Sequence, residues 1–133
     1  VQTCALPICV VEDIMYVGSE ELMAQIWQNI INNAIKFTPE GGKISVKLFR
    51  NEKNISAEIW DNGPSIAPDV KAKIFDKFYQ GDRSRATEGN GLGLALVKRI
   101  IELSEGSIEV ENDMKKGGVC FRISLPYLIE DMM

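Results

Sequence analysis

The chain has 133 residues, 45% hydrophobic and 26% charged, with a net charge of −4. This is one globular domain, long enough to bury a core. The acidic balance argues against bulk nucleic-acid binding, no apolar run approaches the roughly 18 residues of a membrane span, and the absence of histidine excludes a Ser/His/Asp triad or a histidine-ligated zinc site within the chain. Cys4, Cys9 and Cys120 are sparse, odd in number and without metal-site spacing, which suits a reducing compartment.

Residues 1–8, Val-Gln-Thr-Cys-Ala-Leu-Pro-Ile, show neither helical nor strand period. Residues 1–13 are therefore expected to be a linker or a non-native segment outside the fold. Ile14-Met15-Tyr16-Val17 reads as a short strand. Gly18 breaks it, and Ser19 is placed to N-cap a helix whose first turn holds Glu20 and Glu21. That helix is expected to run to Phe37, stopped by Pro39 and Gly41-Gly42. Its core face is expected to carry Met23, Trp27, Ile30, Ile31, Ala34 and Ile35, with Gln25, Gln28 and Asn32 solvated.

Residues 43–50 alternate, with Ile44, Val46 and Leu48 on one face, and residues 55–60 repeat the pattern with Ile55, Ala57 and Ile59. They predict a hairpin turning at 51–54. Asp61-Asn62-Gly63-Pro64 reads as a turn, and a short helix is expected over 69–79. Residues 80–90 carry few apolar side chains and read as a mobile loop. Gly91-Leu92-Gly93-Leu94 opens a further helix to about Leu103, capped by Gly106. Two strands follow, at 107–112 and 119–125. This order predicts an α+β fold, a two-layer sandwich with helices on one face of a mixed, mainly antiparallel sheet over 14–127, and a tail at 128–133.

Three clusters carry chemistry. At about 100° per residue, Asn29, Asn33, Lys36 and Phe37 fall within roughly one quadrant of the first helix. Two carboxamides, an ammonium and a ring at the seam between core and water suit a hard cation, a phosphate and a base. Asp61, at a strand end before Gly63, can accept a hydrogen bond from an exocyclic amine. Gly89, Gly91 and Gly93 lead into a helix N-terminus, which suits an anion. The nearby Asp82-Arg83-Ser84-Arg85 can bring a guanidinium to a terminal phosphate. Each motif alone has an ordinary structural reading; their order and combination do not.

The run from Asn29 through Asn33-Ala34-Ile35-Lys36-Phe37-Thr38-Pro39-Glu40-Gly41-Gly42 resembles the N box of sensor histidine kinases. Asp61-Asn62-Gly63-Pro64-Ser65-Ile66 is similar to their first glycine box, Ile74-Phe75-Asp76-Lys77-Phe78-Tyr79 to the F box, and Gly89 to Leu94 to the second glycine box. Lys116-Gly117-Gly118-Val119-Cys120-Phe121 resembles the family's closing glycine-rich turn and strand.

The resemblance implies a GHKL-type domain that binds ATP and Mg²⁺. It implies catalytic roles for Asn29, Asn33 and Lys36, with Asn33 and Asn29 holding the metal. Nucleotide contacts are implied for those three and for Phe37, Asp61, Gly63, Ile66, Arg85, Gly89, Gly91, Leu92, Gly93 and Leu94. Residues 80–90 would be a lid over ATP, anchored by Phe75 and Phe78. The domain would be cytoplasmic and bacterial, would donate phosphate to a histidine on a separate dimerisation domain, and would act upstream of a response regulator. Nucleic acid is not an expected partner, and any membrane attachment would reside in other segments of a parent protein. A stand-alone serine kinase of the anti-sigma type and a non-catalytic nucleotide-binding module are the alternatives.

Two departures matter. Ser65 stands where the first glycine box usually has a second glycine; if that position needs positive φ, serine costs about 1–2 kcal/mol, or about tenfold in affinity. Asn29 stands where GHKL hydrolases carry a glutamate base, and a carboxamide takes no proton from water.

Overall fold

The computed structural model describes residues 6–11, 19–51, 53–76 and 93–126. Five strands form one sheet in the order β1-β2-β3-β5-β4: β1 Leu6–Val11, β2 Lys43–Arg50, β3 Asn54–Asp61, β4 Ser107–Asn112 and β5 Val119–Pro126. β1 pairs parallel with β2, and the other neighbours are antiparallel. Helices α1 Glu20–Phe37, α2 Pro68–Lys73 and α3 Gly93–Leu103 complete the described elements. The mixed, mainly antiparallel sheet and its helix layer match the sequence expectation. None of the described helices is long and apolar enough to cross a membrane.

The core lies between sheet and helices because the strands alternate. Ile55, Ala57, Ile59 and Asp61 of β3 point inward with Val119, Phe121, Ile123 and Leu125 of β5. Ala57, Ile59 and the four β5 residues form one core with Ile26, Ile30 and Ala34 of α1 and Val97, Ile100 and Ile101 of α3. On the outer face Arg122 bridges Glu58 and Glu111 across neighbouring strands, at 3.5 and 3.0 Å.

Ser19 caps α1 as expected, its hydroxyl accepting from Leu22 N at 3.1 Å. The buried stripe differs in detail from the expected one. Ile26 is fully buried and Ile35 is 56% exposed, because the contact line follows 26, 30 and 34, and Ile35 lies one step of about 100° beyond it.

Three further differences have physical causes. Residues 6–11, expected to lie outside the fold, form β1. A parallel strand reads as a continuous apolar run rather than an alternation, and Pro7 is tolerated because β1 is an edge strand. The strand expected at 14–17 lies outside the described residues. α2 ends at Lys73 rather than extending to 79: Asp76 N returns to Lys73 O at 2.9 Å, a tightened turn that closes the helix. The stop of α3 is a Schellman motif, with Gly106 N to Ile101 O and Glu105 N to Glu102 O, both 2.9 Å. Its left-handed residue is Glu105 (φ 64), not Gly106. Gly106 is needed for space, since a Cβ there would overlap the Ser124 carbonyl oxygen.

Candidate functional site

α1 carries the first group of site residues. Asn29 Nδ2 donates to Gln25 O at 2.7 Å, one turn back. Its Oδ1 faces the start of α3, where a Cβ built on Gly93 would stand 2.8 Å away. The two motifs, sixty-odd residues apart in sequence, thus touch, and glycine at position 93 is what lets them. Asn33, one turn on, is half-buried, and its Nδ2 has no hydrogen-bond partner among the described residues. A buried amide end left unmet costs about 1–3 kcal/mol, so its persistence points to a ligand. Lys36 is exposed and Phe37 half-buried in the last turn. The helix stops there because Thr38 is extended, and its N–H and hydroxyl both donate to Ala34 O, at 3.0 and 2.5 Å.

Asp61 is the last paired residue of β3, in register with Ile44 on one side and Val119 on the other. Strand alternation sends it to the inner face, where it is fully buried. Its Oδ1 accepts from Gly63 N at 2.8 Å. Gly63 has no positive φ; it is needed for close approach. A Cβ there would overlap the Phe37 carbonyl oxygen and come within 2.8 Å of Asp61 Oδ1. The loop after β3 is therefore seated on the C-terminal end of α1. Asn62 ties the same loop to β2, its Oδ1 accepting from Lys43 N at 3.0 Å while its N donates to Lys43 O at 3.1 Å. Ile66, at the loop's far end, is buried.

Ser65 resolves simply. Glu105 is the one non-glycine with positive φ among the described residues, so Ser65 is free of left-handed strain, and its side chain is exposed.

The turn between β4 and β5 supports Asp61 from the outer side. Trp60 Nε1 donates to Gly117 O at 2.7 Å, and Lys116 Nζ lies 4.3 Å from the Trp60 ring centroid. Gly118 (φ 85) packs so closely that a Cβ would overlap the Asp61 carbonyl oxygen. Asp113 organises this turn through backbone donors at Lys115 and Lys116, 2.9 and 3.0 Å. Those hydrogen bonds, led by that from Lys116, hold its carboxyl below the usual carboxylate range. Cys120, beside Trp60 in sequence register, is buried, and burial pushes its thiol up, away from reactivity.

Phe75 packs edge-on against Phe121, ring centroids 6.2 Å apart, with Lys98 Nζ 5.5 Å from its centroid. Leu94 is half-buried against the core. Arg85, Gly89, Gly91, Leu92 and Phe78, with the whole expected lid at 80–90, lie outside the described residues. Sequence reasoning passed over Asn112, Trp60 and Gly118 as site-shaping groups. Of these only Gly118 had a signal, its place in a glycine pair.

The arrangement has a clear chemical use. A buried carboxylate, a carboxamide oxygen facing a glycine and an unmet amide end lie along one helix and the loop seated on it. Neutral carboxamides suit a hard cation that arrives with its own anionic phosphates, and Asn33 can donate to a phosphate oxygen or, with the amide turned over, ligate the ion. The donor set therefore fits Mg²⁺ accompanied by a nucleotide.

A profile of histidine kinase-, DNA gyrase B-, and HSP90-like ATPases matches residues 18–129. The chain is 38% identical over 115 residues to the sensor-like histidine kinase SenX3 of Mycobacterium tuberculosis, covering 85% of this chain and 28% of that protein. It is 40% identical over 110 residues to the adaptive-response sensory kinase SasA of Thermosynechococcus vestitus, covering 82% and 29%. Among solved structures, the mycobacterial sensor histidine kinase MprB superposes with a TM-score of 0.86 at 28% identity, covering 92% of this chain and 84% of that one. Histidine kinase ThkA, in complex with the response regulator protein TrrA, gives 0.76 at 28% identity, covering 95% and 35%. The chain thus spans under a third of the length of these two curated relatives.

Proposed function

The chain belongs to the histidine kinase-, DNA gyrase B- and HSP90-like ATPases, and from that membership we propose that it is the part of a two-component sensor kinase that presents Mg·ATP for transfer of the γ-phosphoryl group to histidine. The observation that carries this reading is the contact between motifs distant in sequence: Asn29 Oδ1 against Gly93, and the Phe37 carbonyl against Gly63, with Asp61 buried beside Gly63.

In this reading Asp61 accepts from the adenine amine, and Gly63 and Ile66 shape the base side with Phe37. Asn33 and Asn29 hold Mg²⁺, which supplies charge neutralisation between the phosphates. Lys36 and Arg85 face phosphate, and Gly89, Gly91, Leu92, Gly93 and Leu94 form the loop and helix start that cradle it. Phosphoryl transfer is mostly positioning and charge neutralisation, so the domain needs no covalent residue of its own. The γ-phosphoryl group passes to an imidazole nitrogen, and ADP is left. Since the chain has no histidine, that imidazole belongs to another segment or chain, with a response regulator as the next acceptor. Asn29, a neutral amide already donating to Gln25, cannot take a proton from water, which favours transfer over hydrolysis.

The test is transfer in trans. With labelled ATP and Mg²⁺, this chain should label a supplied dimerisation domain on histidine, giving an acid-labile, base-stable product, and should turn over little ATP alone. Label on serine of a partner would move the assignment to the anti-sigma class. No ATP binding at millimolar nucleotide would end the enzyme reading. Ser65→Gly should leave ATP affinity within about twofold, since no left-handed strain is relieved; a tenfold gain by titration calorimetry would show that serine impairs the loop after all.

A further inference from the structure

We infer that Asn112, the last residue of β4, is a positioning residue for the base side of the nucleotide site; the role rests on the nucleotide reading above. Its carboxamide makes a two-point contact with the backbone of a single residue 46 positions away. Asn112 Oδ1 accepts from Ile66 N, and Asn112 Nδ2 donates to Ile66 O, both at 2.8 Å. One such bond fixes a distance; the pair also fixes the direction of the strand segment at Ile66, as a bridge between two strands does.

The placement gives this clip its consequence. Asn112 pairs with Val119 of β5, and Val119 pairs with Asp61 of β3. Asn112 and Asp61 therefore lie in one cross-strand row. From that row Asp61 Oδ1 holds the near part of the loop through Gly63 N, at 2.8 Å, and Asn112 holds the far end at Ile66. The loop between has no regular secondary structure, yet Ile66 at its end is buried. Ile66 needs both backbone bonds met once it is inside, and the carboxamide of Asn112 meets them from the sheet edge. Holding Ile66 in place fixes the wall beside Asp61, against which a base would lie. Asn112 itself touches neither base nor phosphate in this scheme; it acts through Ile66.

The test uses the full 133-residue chain and competition of ATP and GTP against a fluorescent trinitrophenyl nucleotide. Asn112→Ala removes both bonds and should lower ATP affinity about tenfold. GTP, which cannot offer an amine to Asp61 in the same way, should change little, so the ATP-to-GTP ratio should fall with it. Ile123→Val serves as the control, a core substitution far from the loop that should lower stability and leave the ratio alone. A folded Asn112→Ala chain with an unaltered ratio, or an Ile123→Val chain whose ratio falls as far, would overturn the role. Hydrogen exchange on the wild type keeps the question open to refutation even if the alanine variant does not fold. In the nucleotide-free chain the Ile66 amide should be protected as strongly as neighbouring β5 amides, and exchange at the rate of an open loop would overturn the clip. Failure of the wild type to bind any nucleotide would instead overturn the site's reading, while Ile66 protection would still report whether the clip exists.

Discussion

Asp61→Asn should lower ATP affinity by about ten- to a hundredfold while the chain stays folded. The substitution is nearly isosteric, and the amide oxygen can still accept from Gly63 N, a bond of 2.8 Å in the wild type. What is lost is the charge. A hydrogen bond to an ionised acceptor is worth about 1.5–3 kcal/mol, and each 1.4 kcal/mol is about tenfold in affinity. Full burial of Asp61 places that bond away from competing water, which favours the upper part of the range. Because the amide keeps the bond from Gly63 N, the chain should still show a cooperative thermal transition without nucleotide. Titration calorimetry and thermal unfolding separate the two effects. A folded variant with wild-type ATP affinity would remove Asp61 from the base site.

The second large effect concerns two adjacent glycines that differ in one respect. Gly117 and Gly118 both have positive φ, 78 and 85. A Cβ on Gly117 meets nothing within 4 Å, whereas one on Gly118 overlaps the Asp61 carbonyl oxygen and approaches Asn62 Cα and Trp60 Nε1 to 2.9 Å. Gly117→Ala should therefore cost only the backbone term, about 1–2 kcal/mol. Gly118→Ala should carry the same term plus an overpacking cost of about 1–3 kcal/mol. Two of the three atoms it meets are backbone, so Asp61 and Asn62 must move. We expect ATP affinity to fall with Gly118→Ala by about tenfold or more and to hold with Gly117→Ala. Urea denaturation and calorimetry on the pair decide this. Equal losses in both variants would mean that the β4–β5 turn does not brace Asp61.

Both predictions depend on contacts that a sequence does not display, and the boundary between legible and hidden follows from range. Alternation in residues 43–50 and 55–60 located β2 and β3, because strand facing repeats every second residue. Ser19 marked the start of α1, because capping is a bond over three positions. Asn29, Asn33, Lys36 and Phe37 were grouped by helical spacing alone. The use of glycine at 63 is room for the Phe37 carbonyl, a contact between α1 and the loop after β3 that no local pattern displays. Glycine 106 was read as a left-handed cap, yet Glu105 occupies that conformation, and Gly106 is needed where α3 passes β5. The β1 strand was missed because a parallel edge strand carries no alternation.

By itself the sequence determined the α+β class, most element positions, the inventory of candidate site residues and the absence of histidine. These are local patterns, or counts, that the chain states before it folds. The tertiary structure decided how that inventory is held. It brought Asn29 to Gly93, set the loop of Asp61 on the end of α1, left Ser65 unstrained and joined Asn112 to Ile66 across 46 residues. Register across β3, β5 and β4 is a property of the closed sheet. A carboxamide at a strand end has no assigned partner until that sheet has formed and turned its side chain toward the loop.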